Sequence, residues 1–206
     1  MNKLIFATSN SGKVASLQRY LDSAGVRVEV VGQSLDIIEI QADTALEVAR
    51  AKATEAYRRL GCRLVVDDSE LRIVALNGFP GPYQKAMTEK LGPEGFVRLL
   101  QGYDDRRAYF ISNLIFVDDS GRQYEFSDDP YWGEIADVVD QTEREDAWGP
   151  LWRIFIPSGL DVPISQLSRA EFEAYNRAKD DGDAYRKFVD WRSEEHTSEL
   201  QSRTVI

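Results

Sequence analysis

The feature that most constrains the fold lies near the amino end, where an apolar strand leads through a polar turn into an amphipathic helix. Residues 3–7 include four apolar side chains in succession, which predicts a short buried strand. Val14, Leu17 and Leu21 then recur at helical spacing and predict a helix over about residues 13–23. A buried strand that leads directly into a helix is typical of α/β proteins.

The rest of the chain alternates strand and helix patterns and then forms a hairpin. Predicted strands cover residues 26–31, 64–66, 71–76 and 153–156, and a predicted β-hairpin covers residues 108–117 and 123–131. Predicted helices cover residues 44–60, 83–91, 93–100 and 168–191, the last interrupted near Gly182. Thr44 followed by Glu47 predicts a capping box. This order predicts an α/β fold with a mixed β-sheet.

Length and charge limit the classes of protein to which this chain can belong. Its 206 residues suit one large domain or two closely packed lobes, and its formal net charge of -10 argues against a nucleic-acid partner. A local group of cations with a divalent metal can still hold a free nucleotide. The sequence has neither a signal peptide nor an apolar run of membrane-spanning length, so a cytoplasmic protein without a membrane partner is expected.

The last residues form a segment that we expect to lie outside the domain. Residues 192–202, RSEEHTSELQS, resemble the translation of a sequencing-library adapter. We therefore predict a single domain over residues 1–191 and a non-native tail over residues 192–206. The only histidine, His196, falls in this tail, so no histidine is expected to act as a base or metal ligand.

The polar turn after the first strand carries groups that can bind phosphate. Backbone N–H groups at a helix start attract anions. Hydroxyl, amide and ammonium donors are added by Thr8, Ser9, Asn10 and Lys13. The P-loop motif is excluded, because both its first glycine and its metal-binding hydroxyl are missing. The alternative is an ordinary N-capped helix start, and the turn alone does not separate the two interpretations.

Three acidic residues are candidate metal ligands. Asp67 and Asp68 are predicted to end the strand over residues 64–66, and Glu39 comes from a separate loop. Adjacent strand residues point to opposite faces, so one aspartate is expected to face the site and the other to support it. Carboxylates together with water and substrate phosphates satisfy Mg²⁺.

Three motifs follow one another along the chain: TSN-x-x-K at residues 8–13, VDDS-x-L at residues 66–71 and ALNGFPGPY at residues 75–83. In this order they resemble the inosine triphosphate pyrophosphatase family, which is also called Ham1-like. The resemblance implies an elongated mixed β-sheet flanked by helices, two lobes with a central cleft, and a homodimer. It also implies Mg²⁺-dependent hydrolysis of a nucleoside triphosphate to a nucleoside monophosphate and pyrophosphate.

The resemblance also implies roles for individual residues. Asp68 and Lys13 would be catalytic, with Asp68 orienting or deprotonating the attacking water, and Glu39, Asp68 and Asp67 would hold the metal. The side chains that bind substrate phosphates would be Thr8, Ser9, Asn10, Lys13, Ser69, Lys85 and Lys90. Metal and lysines would stabilise the charge that develops on the departing pyrophosphate.

The chain departs from the family pattern at several positions. Glu70 stands where the family has glycine, and residues 147–150 lack the aspartate of the family's base-reading motif. Trp148 is expected to stack on a base, with a core aromatic as the alternative, and Asn176 and Arg177 are the nearest match to a Ser-His-Arg signature. Loss of polar partners lowers discrimination, so hydrolysis of ITP, XTP or dITP with an altered or relaxed base preference is expected.

Other interpretations of the chain stay open at this stage. A non-catalytic nucleotide-binding protein on the same fold is favoured by the changed base-reading segment, but Asp68, Glu39 and Lys13 argue against it. A Maf-like pyrophosphatase, often active on pyrimidine nucleotides, shares the architecture, although the stretch at residues 78–83 favours the Ham1-like side. An RNA-binding module fits the charge balance poorly.

Overall fold

The strands of the protein join into one sheet that carries helices on both faces. The computed structural model describes residues 2–143 and 149–202, and the side chains of residues 3–143 and 149–193. In these ranges the strands are β1 (Asn2–Phe6), β2 (Val28–Gly32), β3 (Leu64–Ile73), β4 (Pro80–Gly81), β5 (Arg107–Val117), β6 (Gln123–Ser127), β7 (Tyr131–Ile135) and β8 (Phe155–Pro157). The α-helices are α1 (Ser11–Ser23), α2 (Ala45–Leu60), α3 (Gln84–Leu99), α4 (Arg169–Lys179) and α5 (Ala184–Ser202).

The sheet is mixed, which confirms the predicted fold class. Its strand order is β2-β1-β3-β5-β7-β8, with β4 paired to β3 and β6 paired to β5. β1 runs parallel to β2 and β3, because α1 and α2 form the crossovers between these strands. The remaining pairs are antiparallel.

The hydrophobic core is divided between the two ends of the sheet. At one end, α1 and α5 cover one face with Leu17 and Phe188, which pack near Val65 of β3. α2 covers the opposite face at that end, where its alanines and Val66 belong to one hydrophobic cluster. A separate cluster at the other end joins α3, β7 and β8 around Trp152. The stretch of β3 between these regions is polar.

The structure corrects the two predicted strands at residues 64–66 and 71–76, because β3 is one continuous strand. β3 pairs with β5 residue by residue, from Leu64 opposite Val117 to Ile73 opposite Ala108. Asp67 and Asp68 therefore lie within a strand and do not end one. The polar residues carry no local strand signal, but pairing with the long β5 satisfies their backbone groups.

The helix predictions are largely confirmed. Thr44 is the N-cap of α2, and its predicted capping box with Glu47 is present. The helices predicted at residues 83–91 and 93–100 form α3, which is kinked at Gly92, directly before a proline. The second hairpin strand differs from the prediction, since β6 and β7 are two strands that pair with different parts of β5.

The carboxyl-terminal helix passes the expected domain boundary without a break. α4 and α5 are separated by a short turn that includes Gly182, as predicted, and α5 then continues to Ser202. Arg192 is buried, and its guanidinium carbon lies 5.9 Å from the ring centroid of Phe116. The assignment of residues 192–206 as a non-native tail stays a prediction. Neither α5 nor another helix in the described ranges has the length and apolar character needed to cross a bilayer.

Candidate active site

Four polar residues interrupt β3 between the two ends of the core. Asp67, Asp68, Ser69 and Glu70 follow one another there, and two of these carboxylates are buried. Because strand residues alternate, Asp67 and Ser69 face α1 and α5, while Asp68 and Glu70 face α2. Buried carboxylates are costly unless charged or hydrogen-bonding groups surround them, so each face of β3 requires partners.

On the α1 side, Asp67 binds Lys13. The Nζ atom of Lys13 lies 2.5 Å from Oδ1 of Asp67, whose side chain is 3% exposed. The hydroxyl of Ser69 donates to the same oxygen at 3.2 Å, and the hydroxyl of Tyr185 donates to Oδ2 at 2.6 Å. Burial acts to lower the pKa of Lys13, but attraction to Asp67 and their hydrogen bond outweigh it and raise that pKa. Lys13 is therefore held as a cation in the first turn of α1.

These contacts give Asp67 a supporting position. Both of its oxygens are already hydrogen bonded, one to Lys13 and Ser69 and the other to Tyr185. The expectation that one aspartate faces the site and the other supports it stays a prediction. The sequence interpretation missed Tyr185, because it is 118 residues away from Asp67 and carries no local signal. A metal-binding role for Asp67 stays a prediction.

On the α2 side, Asp68 is a half-buried carboxylate whose charge is only partly balanced. Its Oδ1 accepts the backbone N–H of Ser69 at 3.0 Å. Burial raises the pKa of Asp68 to about 6, although the cations of Lys52 and Lys13 act in the opposite direction. A carboxyl group that titrates near neutral pH can accept a proton and later release it, which is the property of a general base. Such shifts are typical of functional sites.

Lys52 is a component of the site that the sequence interpretation missed. Its Nζ lies 3.1 Å from Oε1 of Glu39, and its charge acts on Asp68. Lys52 follows Val48 by four residues, on the same face of α2 as buried Val48 and Ala49. A lysine within an otherwise apolar stripe is the signal in the sequence that points to it.

Glu39 lies in the loop between β2 and α2, beside an open cavity. This cavity has a volume of about 300 Å³, and both Glu39 and Lys52 line it. The neighbouring isoleucine Ile38 is 91% exposed. The Lys52–Glu39 pair is therefore accessible to a charged ligand from solvent.

The turn between β1 and α1 forms a capped helix start. Oδ1 of Asn10 accepts the backbone N–H groups of Gly12 at 2.9 Å and Lys13 at 3.2 Å, and the N–H of Asn10 donates to Thr8 Oγ1 at 3.1 Å. This is the capping alternative of the sequence interpretation. Phosphate binding is compatible with it, because the positive end of α1 carries Lys13 in its first turn and the preceding Ser9 is exposed.

The other predicted substrate residues lie on helices α3 and α4. Lys85 and Lys90 are exposed on α3, and Asn176 and Arg177 are exposed on α4. Within the part of the chain that the structure describes, no hydrogen bond or ion pair joins these four side chains to the aspartates of β3. Trp148 lies outside the described residues. Substrate binding by these residues stays a prediction.

The charges of the site fit a divalent cation that binds together with a phosphate ligand. Across residues 2–143 and 149–202, no group of three metal-binding side chains is preassembled. Two carboxylates are sufficient for Mg²⁺, because this ion keeps several waters and takes substrate phosphates as ligands. Burial disfavours the charged form of Asp68, and a cation bound between Asp68 and Glu39 would stabilise that charged form.

Comparison with known proteins assigns the family. The model of the Ham1 family matches residues 4–191 of this chain. The chain belongs to the Ham1 family. It is 35% identical to the dITP/XTP pyrophosphatase of Methanopyrus kandleri over 190 residues, which cover 92% of this chain and 95% of that protein. It is 34% identical to the dITP/XTP pyrophosphatase of Thermococcus kodakarensis over 192 residues, which cover 93% and 98%.

Solved structures of Ham1 proteins share the fold. The Staphylococcus aureus Ham1 protein matches with a TM-score of 0.75 at 25% identity, over 94% of this chain and 100% of that chain. The HAM1 protein of Coxiella burnetii matches with a TM-score of 0.77 at 23% identity, again over 94% and 100%. The family resemblance found in the sequence is therefore confirmed, and the mixed sheet flanked by helices is the Ham1 fold.

Proposed function

We propose that this Ham1-family chain is a nucleoside-triphosphate pyrophosphatase that hydrolyses non-standard purine nucleotides such as dITP and XTP. The products would be the nucleoside monophosphate and pyrophosphate. One observation carries the proposal: side chains from α1, α2, β3 and the loop before α2 come together around the polar stretch of β3. These side chains are Lys13, Lys52, Asp68 and Glu39. The similarity to two dITP/XTP pyrophosphatases along nearly their whole length supports the substrate class.

Hydrolysis requires a water in line with the bond that breaks and positive charge near the leaving group. Asp68 orients the water and accepts its proton, and a pKa of about 6 leaves this carboxylate ionised at neutral pH. The water oxygen forms a new bond to phosphorus while the anhydride bond between the α- and β-phosphates breaks. Lys13 and Lys52 stabilise the negative charge that departs with pyrophosphate.

The triphosphate binds at the start of α1 in this proposal. Thr8, Ser9 and Asn10 line the turn next to the positive end of the helix, and Lys13 supplies a full charge there. Ser69 adds a hydroxyl group beside Asp67. Lys85 and Lys90, which are exposed on α3, would add positive charge near the phosphates.

Asp68 and Glu39 would hold a divalent metal ion, for which Mg²⁺ is the proposed species. When bound, such an ion neutralises phosphate charge and orients the triphosphate. Asp67 contributes by fixing the ammonium of Lys13. The two aspartates therefore have different roles, because their side chains point to opposite faces of β3.

Base preference is proposed to be altered or relaxed relative to the family pattern. Trp148 would stack on the base, and Asn176 and Arg177 would hydrogen-bond to its edge. The sequence lacks the aspartate of the family's base-reading motif, and a site with fewer polar partners discriminates less between bases.

We further propose a cytoplasmic homodimer without nucleic-acid or membrane partners, in keeping with the net charge of -10.

A substrate panel tests the activity. ITP, dITP, XTP, dUTP and the standard nucleoside triphosphates are incubated with MgCl₂, and pyrophosphate and orthophosphate are measured separately. Pyrophosphate release that is fastest with the inosine and xanthosine nucleotides supports the proposal. Binding of dITP without pyrophosphate release would instead favour a non-catalytic nucleotide-binding protein. Exclusive activity on ITP and XTP would contradict the relaxed base preference.

The Asp68→Asn variant tests the site. Removal of the proton acceptor is expected to lower kcat by at least about 10²-fold, while the variant stays folded because the amide has the same shape. Asp104→Asn, an exposed aspartate after α3, is the matched control and is expected to keep wild-type rates. Wild-type rates in Asp68→Asn would show that another group activates the water.

A further inference from the structure

Glu70 and Arg72 form an ion pair on β3 that the proposed mechanism does not use. The Nε atom of Arg72 lies 2.9 Å from Oε1 of Glu70, and the Glu70 side chain is only 5% exposed. Nη2 of Arg72 also donates to Oε2 of Glu70 at 3.2 Å, so the contact is bidentate. A buried carboxylate at this position requires such a partner, because its charge is otherwise uncompensated.

Both members of the pair also bind the segment that follows Glu39. Oε2 of Glu70 accepts the backbone N–H of Ala45, the first residue of α2, at 3.1 Å. Nη2 of Arg72 donates to the backbone carbonyl of Asp43 at 2.8 Å. The end of the Glu39 loop and the start of α2 are therefore both tied to β3.

The position of the pair connects it to the candidate site. Glu70 follows Asp68 by two residues and lies on the same face of β3. Lys52 lies about two helical turns along α2 from Ala45, and its ammonium binds Glu39. The contacts of Glu70 and Arg72 therefore join the strand that carries Asp68 to the start of the helix that carries Lys52.

The turn after β3 leaves room for the pair. Gly81 has a positive φ of 55°, and a Cβ atom there would lie 3.6 Å from Oε2 of Glu70 and 3.9 Å from the carbonyl oxygen of Asp43. Gly78 has a φ of 87°, and a Cβ atom there would lie 3.1 Å from Nη1 of Arg72. Backbone with a positive φ is suited to glycine, and at Gly78 the turn also lies close to the Arg72 guanidinium.

We propose that Glu70 and Arg72 are positioning residues that hold Glu39 and Lys52 opposite Asp68, and that they thereby set the metal requirement of the reaction. This inference rests on the proposed function. A merely structural pair would stabilise the start of α2 and hold residue Asp43 without changing the MgCl₂ dependence of the reaction.

Two variants and one matched control separate these roles. Glu70→Gln removes the charge that holds Arg72, and Arg72→Lys keeps a cation but loses the planar fork that reaches both Glu70 and Asp43. Glu47→Gln is the control, because Glu47 also binds at the start of α2, through the N–H of Thr44 at 3.0 Å, and belongs only to the helix cap.

Two measurements are made on each full-length protein. The first is hydrogen–deuterium exchange at residues 36–43, without metal or nucleotide. The second is pyrophosphate release from dITP as MgCl₂ is varied. In Glu70→Gln and Arg72→Lys, exchange is expected to become faster and the half-saturating MgCl₂ to rise about tenfold, which equals about 1.4 kcal/mol. kcat at saturating MgCl₂ is expected to stay within about twofold. Glu47→Gln is expected to change neither quantity.

Unchanged exchange in both variants would show that the pair does not hold the loop, and unchanged MgCl₂ dependence would show that it does not set the metal requirement. Either result would overturn the inference. Equal changes in Glu47→Gln would overturn it as well, because they would trace the effect to the start of α2 alone. If Glu70→Gln does not fold, Arg72→Lys decides, since it retains the ion pair. A wild-type protein that releases no pyrophosphate contradicts the proposed function, while the exchange comparison still decides whether the pair holds the loop.

Discussion

The ammonium of Lys13 lies 2.5 Å from the carboxylate of Asp67. The two residues come from α1 and β3, and Tyr185 of α5 donates to the other oxygen of the same carboxylate at 2.6 Å. Three elements that are distant in the chain therefore fix the direction of one lysine. Because Lys13 is proposed to stabilise the leaving pyrophosphate, the hydrogen bond from α5 to Asp67 is expected to affect the activity.

Tyr185→Phe is expected to weaken this arrangement without removing an aromatic ring from the core. Loss of the donor leaves Oδ2 of buried Asp67 without that partner and is expected to lower the free energy of unfolding by about 1–3 kcal/mol. Displacement of Lys13 is expected to lower kcat about tenfold. Urea unfolding and steady-state kinetics with dITP measure the two effects.

The control for this variant is Tyr57→Phe on α2. It removes a hydroxyl group that donates to the carbonyl of Asp119 at 2.9 Å at the protein surface. We expect unchanged kcat. Equal kcat values for Tyr185→Phe and the wild-type protein would exclude a role of Tyr185 in placing Lys13.

Lys52→Ala is expected to lower kcat/KM by about 10²- to 10³-fold, because one of the proposed phosphate cations is lost. The helix is expected to form normally, since alanine favours α-helix and the lysine lies at the cavity wall. Arg58→Ala on the same helix, with its guanidinium at the surface, is the control. Equal kcat/KM values for the two variants would contradict the role of Lys52 as a phosphate-binding cation.

Asp128 is expected to make stability depend on pH. Its oxygens accept the N–H groups of Ser112 at 2.9 Å and Ala184 at 2.8 Å, and burial raises its pKa to about 7 from the ordinary value of 3.8. The folded protein therefore binds this proton more tightly than the unfolded chain does. Stability contributed by the protonated form is greatest at low pH and is lost as pH rises from about 4 to about 7.

Asp128→Asn tests this dependence, because the amide does not titrate. Across that pH interval the unfolding free energy of the wild-type protein is expected to fall further than that of the variant, by on the order of 4 kcal/mol. Urea unfolding at several pH values gives both slopes. Parallel slopes would mean that Asp128 has the same pKa in the folded and unfolded chains.

A chain that ends at Ser193 tests whether most of the predicted non-native tail is separate from the domain. It keeps Arg192, which packs on Phe116, and the hydroxyl of Ser193, which donates to the carbonyl of Val189 at 2.9 Å. If residues 194–206 are not part of the domain, the shortened chain has the thermal midpoint and kcat of the full chain. A clear drop in the midpoint would assign these residues to the folded domain.

The sequence alone determined the elements whose pattern is local. The helical spacing around Leu17, the capping box of Thr44 and Glu47, and the interruption at Gly182 all depend on contacts within a few residues. Such short-range patterns are visible without knowledge of the fold. The mixed sheet followed from the order of these elements, and the motif order indicated the family.

Only the tertiary structure decided how the candidate site is divided. β5 makes β3 one strand, and the alternation of that strand then sends Asp67 toward Lys13 and Tyr185 and Asp68 toward Lys52. Which face each aspartate takes depends on strand pairing and on helices that are distant in sequence. No local pattern contains this information, and for that reason the sequence identified the acids while the fold assigned their partners.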